Sequence, residues 1–370
     1  MWIFASLISR CMLTTMRSWF AVAVLFVACG SPVQTEDGGS TGGGSAAAGG
    51  GTATGGGSAT GGGSATGGGS ATGGGSATGG GSATGGETGW ENVDPLADAG
   101  TVTTVSTGFQ FTEGPVWVPW LGTFLFSDIP ANQIRIHQPG QTPATTVFLT
   151  PSGNSNGLAL APNGDLIICQ HEGRVSRRQQ DGGTSVVAAQ FDGGTLNSPN
   201  DAVVRSDGTI FFTDPTYGGS GSVGTRGAYR VSPSGEVSRV YSTNNGQPNG
   251  VTLSPDETIL YVSDSQLSEV RRFDVAPDGT TSNGARFLQT NSGGNGGQGG
   301  DGITTDFAGN LYVTTSAGVK VYRPDAGYLG TIAVPQEPAN CAFGGADHKT
   351  LFITARTGVF LIQLNVPGPY

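Results

Sequence analysis

Six oxygen-bearing side chains recur in one phase along this sequence: Glu113, Asn156, Asn200, Asn249, Asp301 and Asn340. Each opens a phrase of small and apolar residues that passes through a turn and closes on a small polar residue. The closings are Ser127, Cys169, Thr213, Ser263, Thr314 and Thr354. Taken together, Glu113, Asn200, Asn249 and Asp301 supply two carboxylates and two amide oxygens with a formal charge of −2. An oxygen-only donor set of mixed charge suits Ca²⁺, with Mg²⁺ or Mn²⁺ as alternatives. Only three His occur and no Cys/His cluster has zinc spacing, which argues against a standard zinc site and ranks Zn²⁺ behind the others. No Gly-x-Ser-x-Gly elbow stands near a His/Asp set, so a serine-esterase mechanism is not supported.

Such side chains do chemistry only if something brings them together. The openings lie 43, 44, 49, 52 and 39 residues apart. A repeat of this length built from short strands predicts a β-propeller with one blade per repeat, here six blades of four antiparallel strands. The closing segments TFLFS, DLIIC, TIFFT, ILYVS, NLYVT and TLFIT each follow a turn signal such as Asp207-Gly208 or Pro255-Asp256. Each opening is therefore expected just before its blade's inner strand, with the second strand returning to the same face. All six openings then converge on one end of the central channel, with Asn156 and Asn200 available to a substrate. His171 follows the second strand of blade two on that face, where it could donate a proton or hydrogen-bond a substrate. Tyr217, in the loop after Asp214-Pro215, is placed to line the same pocket. Asp128, Asp214 and Asp264 also follow second strands, but Asp in that position more often caps a turn. His137 in a third strand and His348 in a hairpin turn are read as structural or solvated. Blade six lacks a fourth strand after Leu364, and the alternating segment Thr101–Ser106 is expected to complete it and remove the ring's open edge.

Composition divides the chain. From Gly55 to Thr84 the unit GGGSAT repeats over 30 residues, a stretch with nothing apolar to offset chain entropy. With its flanks, residues 29–100 read as a flexible linker with a mean reach of about 45 Å. Residues 101–370 then form the propeller. Residues 1–28 read as an export signal, starting at Met1 or Met16, with Arg17 before an apolar run too short to span a bilayer. The run ends Leu25-Phe26-Val27-Ala28-Cys29, which resembles a bacterial lipobox and makes Cys29 the expected lipidation site. The expected product is an exported lipoprotein held at the cell envelope, outer membrane or periplasmic face, by that anchor alone. The net charge of −10 and the absence of a Lys/Arg run argue against nucleic acid as a partner. The other two cysteines of the propeller, Cys169 and Cys341, fall in blades that are not neighbours, so no disulfide is expected. The chain is read as a monomer.

Several motifs resemble the senescence marker protein (regucalcin), gluconolactonase and luciferin-regenerating-enzyme family. They are Phe111-Thr112-Glu113-Gly114-Pro115-Val116-Trp117, Phe126-Ser127-Asp128-Ile129-Pro130, Leu196-Asn197-Ser198-Pro199-Asn200-Asp201 and Phe212-Thr213-Asp214-Pro215-Thr216-Tyr217-Gly218. Gln247-Pro248-Asn249-Gly250-Val251, Gly300-Asp301-Gly302-Ile303 and Ala339-Asn340-Cys341-Ala342-Phe343-Gly344-Gly345 complete the set, over about residues 105–365. The resemblance implies a six-bladed propeller with a divalent cation bound by Glu113, Asn249 and Asp301, with Asn200 a ligand of metal or substrate. It implies that Asp301 is also the catalytic base. The regucalcin type carries Arg where this chain has Ser198, so the resemblance is to the bacterial lactonase form. Cys169-Gln170-His171-Glu172-Gly173 is similar to a Cys-Glu-His-Gly segment of lactonases. The implied activity is opening of a small-molecule lactone or ester, gluconolactonase-like, by metal-activated water. Phosphotriester or aryl-ester hydrolysis at the same site, and a non-enzymatic binding module, are the alternatives.

Overall fold

The computed structural model describes residues 89–290 and 299–369. The signal segment, Cys29 and the GGGSAT repeat lie outside the described residues. Six four-stranded antiparallel sheets are arranged as the blades of a β-propeller, and among the described residues there is no helix. Blade one shows the common plan. Its inner strand Thr112–Val118 turns into Thr123–Asp128, then Gln133–His137, then the outer strand Thr145–Leu149. The second strands Leu166–Gln170, Ile210–Asp214, Ile259–Asp264, Leu311–Thr315 and Thr350–Ala355 match the expected closing segments. They are buried on both faces because each blade packs between two others, which is why they read as continuous apolar runs rather than alternations.

The openings depart slightly from expectation. Four of them, Glu113, Asn156, Asn249 and Asn340, lie within their inner strands, and only Asn200 and Asp301 precede theirs. In those four blades the register with the second strand shifts at or beside the opening, as between Glu113 and Val116 or Pro248 and Val251. A bulge there bends the strand end and re-aims a side chain that straight pairing would hold in the sheet.

Thr103–Thr107 pairs antiparallel with Gly358–Gln363, giving blade six its outer strand and closing the ring as expected. At that seam the Phe124 and Phe352 rings stack at 4.5 Å between blades one and six. The stretch before the closing strand is also packed. Leu96, Ala99 and Val102 lie against the blade six core, Gly100 N donates to Gln363 O at 2.9 Å, and Lys349 Nζ sits 5.0 Å from the Trp90 ring centre. The part of the expected linker from Trp90 to Gly100 therefore belongs to the folded body. A further hairpin, Gln190–Phe191 with Gly194–Thr195, lies between blades two and three. Its turn residues Asp192 and Gly193 both have positive φ, the conformation that Asp-Gly favours in two-residue hairpin loops. Cys169 and Cys341 are free and buried.

Candidate active site

Each opening is aimed by its neighbours on both sides. Gly114, Gly157, Gly250 and Gly302 follow four of the openings, and each lets the next blade's backbone approach the channel. A Cβ at Gly250 would lie 2.6 Å from Asp301 O, and one at Gly157 the same distance from Asn200 O. With only hydrogen there, Gly157 N donates to Asn200 O at 2.6 Å, Gly250 N to Asp301 O at 3.1 Å and Gly302 N to Ala339 O at 2.7 Å. The closing hydroxyls complete the arrangement. Ser127 Oγ donates to Asn156 O at 2.7 Å, Thr213 Oγ1 to Asn249 O at 2.5 Å, and Ser263 Oγ to Asp301 O at 2.5 Å. In these three blades the small polar residue that ends the phrase thus fixes the backbone of the following blade's opening.

This arrangement brings Glu113, Asn156, Asn200, Asn249 and Asp301 to one cavity of about 420 Å³ at the end of the channel, together with His171 and Tyr217. The sixth opening is a correction. Asn340 does not line the cavity; its Nδ2 turns toward Asp201 Oδ2 at 3.4 Å, and its Oδ1 accepts from Cys341 N at 2.8 Å. A larger cleft of about 590 Å³ lies between Leu96–Val102 and Thr331–Pro335, but no charged side chain lines it.

Electrostatics single out the cavity. Burial pushes the Glu113 carboxyl well above the usual range, and the nearby Asp301 charge adds to it. Burial pushes Asp301 up to about 7, opposed by a hydrogen bond from Asn249. The Asp201 charge adds to the rise at Asp301, and two buried carboxylates held this high are poorly satisfied by protein alone, a condition that a divalent cation relieves. Asn249 Nδ2 donates to Ser265 Oγ at 2.8 Å, which leaves its carbonyl oxygen for such an ion. The donor set therefore fits a hard divalent cation. Its carboxylates are only two, and among the described residues no group of three or more His, Cys, Asp or Glu is arranged to hold a metal.

His171 Nε2 lies 3.1 Å from Asn156 Nδ2, and burial lowers the imidazole pKa to about 4. The ring is therefore neutral near pH 7 and offers hydrogen bonds rather than an imidazolium proton. Tyr217 is 48 % exposed, yet its hydroxyl is drawn up to about 12, by burial first. Ser198, in place of an Arg, is fully buried and donates to Pro215 O while accepting from Gly218 N, so it latches the Tyr217 loop from below. Asp128, Asp214 and Asp264 accept backbone N–H bonds from Phe111, Asn197 and Gln247, which makes them turn caps. His137 Nδ1 is 3.0 Å from Ala144 O, in a structural setting.

Three charged residues were not anticipated. Asp201 stands where four other blades have Gly after the opening, and burial pushes its carboxyl up to about 7. Comparing the phrases position by position would have found it. Arg356 and Glu337 form an ion pair on the cavity wall, with the guanidinium 5.5 Å from the Phe111 ring centre. Arg356 follows the second strand of blade six at the position His171 holds in blade two, so phase could have found it, whereas Glu337 lies in the loop just before the inner strand Pro338–Gly344.

Comparison with known proteins agrees with this geometry. The SMP-30/Gluconolactonase/LRE-like region matches residues 111–357. A gluconolactonase of Zymomonas mobilis is 31 % identical over 312 residues, 75 % of this chain and 85 % of its own. The solved structure of a gluconolactonase from Xanthomonas campestris superposes with a TM-score of 0.66 at 29 % identity, over 74 % of this chain and 91 % of its own. A calcium-binding regucalcin from Agrobacterium tumefaciens shares the fold, with a TM-score of 0.61 at 20 % identity over 74 % of this chain and 96 % of its own. With the match spanning all six openings, the chain belongs to the SMP-30/gluconolactonase/LRE-like family.

Proposed function

We propose that this protein is a lactonase that opens a sugar-type lactone by water attack, with a divalent cation at its site, Ca²⁺ ahead of Mg²⁺, Mn²⁺ or Zn²⁺. The observation that carries the reading is the burial of Glu113 and Asp301 in one cavity beside the amides of Asn156, Asn200 and Asn249, the His171 imidazole and the Tyr217 phenol. The gluconolactonases among its relatives support the substrate class. Glu113, Asn200, Asn249 and Asp301 would hold the cation, which when bound polarises the lactone carbonyl and stabilises developing negative charge. Asp301 takes a proton from the attacking water as the carbon–oxygen bond forms. The ring carbon–oxygen bond then breaks, and Asp301 returns that proton to the departing ring oxygen, giving a hydroxy acid. Asn156, Asn200 and Tyr217 orient the substrate, and neutral His171 hydrogen-bonds to it. Phe111, Ile129 and Pro130 give the cavity an apolar side that limits bulk solvent around the bound lactone.

The test is a hydrolysis panel with purified protein, stripped with chelator and reloaded separately with each of the four cations. It includes D-glucono-δ-lactone, other aldonolactones, an aryl ester and a phosphotriester. Cation-dependent turnover of aldonolactones is expected. Turnover of the triester or aryl ester alone would move the assignment to those reactions, and a cation-loaded protein inert toward every compound would make it a binding module.

A further inference from the structure

Asn156 is 3 % exposed and lines the cavity, yet its Oδ1 has no hydrogen-bond partner among the described residues. Its backbone leaves little freedom to turn away. Ser127 Oγ holds Asn156 O at 2.7 Å, and the next residue, Gly157, donates to Asn200 O at 2.6 Å. Its Nδ2 is committed to His171 Nε2 at 3.1 Å. The imidazole is confined as well. His171 N donates to Asn154 O at 3.1 Å, and the ring lies against Gly218, where a Cβ would come within 2.6 Å of Nδ1. An amide N–H donates only to a ring nitrogen that carries no proton, so this geometry makes Nε2 the acceptor and leaves the proton on Nδ1.

We infer that Asn156 both reads a substrate hydroxyl and sets the tautomer of His171. Its Oδ1 accepts the hydrogen of a hydroxyl on the lactone ring, while its Nδ2 keeps His171 Nε2 unprotonated and the ring proton on Nδ1. A buried acceptor without a donor is costly, so a ligand that brings a hydroxyl to Oδ1 is favoured over one that cannot. The inference rests on the lactonase reading and assigns to Asn156 the discrimination of ring-hydroxylated lactones from plain alkyl lactones. Asn156 acts on His171 as a positioning residue and on the substrate as a specificity residue.

The test uses the wild type, Asn156→Leu and Asn156→Asp, each first shown by thermal melting to be folded. The three readouts are hydrolysis of D-glucono-δ-lactone beside δ-valerolactone, ¹⁵N NMR of the His171 ring, and calorimetric Ca²⁺ titration. Asn156→Leu is expected to lower kcat/KM for the hydroxylated lactone about 10–100-fold more than for δ-valerolactone, whose own smaller loss reports the released His171. Asn156→Asp keeps the acceptor and loses the donor. It should retain the preference for the hydroxylated lactone while the His171 proton moves to Nε2. Ca²⁺ affinity should be unchanged in Asn156→Leu. Equal losses on both lactones would overturn the proposal, as would a fall in Ca²⁺ affinity matching the fall in turnover or a wild-type ring protonated at Nε2. If the wild type hydrolyses neither lactone, the lactonase reading fails, and the NMR result alone decides whether Asn156 sets the tautomer.

Discussion

Glu113 and Asp301 present the same group to the same cavity, yet substitution should separate them. Asp301→Asn keeps an oxygen toward the cavity but removes the base, so turnover at saturating Ca²⁺ is expected to fall about 10²–10⁴-fold. Glu113→Gln removes a charge and no base, and its loss should be largely recovered at saturating Ca²⁺. Calorimetric titration beside lactone hydrolysis checks the pair; near wild-type turnover by metal-saturated Asp301→Asn would assign the base to another group. Asp306 allows a different kind of prediction, on stability. Asn310 N and Nδ2 and the Tyr312 hydroxyl donate to it, but burial outweighs them and pushes its pKa up to about 6. An unfolded aspartate titrates near about 4, so the folded chain binds this proton more tightly. That stabilisation is complete below about pH 4 and is lost as pH rises through about 6. Asp306→Asn should therefore flatten the fall in melting temperature between about pH 4 and pH 7, and parallel curves for the two proteins would count against it. At this scale the site was legible where it followed the repeat. Five of the six openings, with His171 and Tyr217, reach one cavity because phase places a side chain at the same height in every blade. Phase could not say which way Asn340 turns, since that depends on Asp201 across the channel.

Strands carry their own consequences. Thr103–Thr107 contributes no cavity residue, but without it Gly358–Gln363 would be an open edge facing solvent. Deleting residues 101–107 should cost about 3 kcal/mol or more through lost pairing and a weakened blade six. At roughly 2–4 °C per kcal/mol this appears as a drop in melting temperature of about 6–12 °C. An unchanged melting curve would mean that the ring closes without the strand. The strand was legible because the sequence left blade six one strand short and supplied an alternating segment at the other end. Second strands were legible for a similar reason, being short apolar runs with a turn before each. Inner strands were less so, because the bulges beside Glu113, Asn156 and Asn249 extend pairing past the point where a Gly suggests a loop. The small hairpin at Asp192-Gly193 escaped notice although Asp-Gly is a strong turn signal, since its arms are only two residues each.

On the scale of the whole chain, a folded body begins at Trp90 and about 60 residues of low-complexity sequence separate it from Cys29. A stretch of mostly Gly, Ser, Thr and Ala has no large apolar side chains to build a core, so catalysis should not depend on it. A chain beginning at Gly89 is therefore expected to fold and to turn over substrate like the full-length protein. One beginning at Gly108 should lose stability, because it lacks both the closing strand and the Leu96, Ala99 and Val102 contacts. The long stretch makes sense if the body is tethered, since a mean reach of about 45 Å would hold the cavity clear of a membrane surface while keeping it near. We propose that Cys29 carries the tether, as its lipobox-like setting suggests. Stable anchoring by acyl chains needs more than one of them, each buried CH₂ contributing about 0.8 kcal/mol. Expressed in a bacterium with its own leader, the wild type should then sediment with membranes and be released only by detergent. Cys29→Ala should appear in the soluble fraction with the same specific activity. If Cys29→Ala sedimented as the wild type does, the anchor would have to be sought elsewhere in residues 1–88; if the wild type were soluble, the stretch would be a spacer without an anchor.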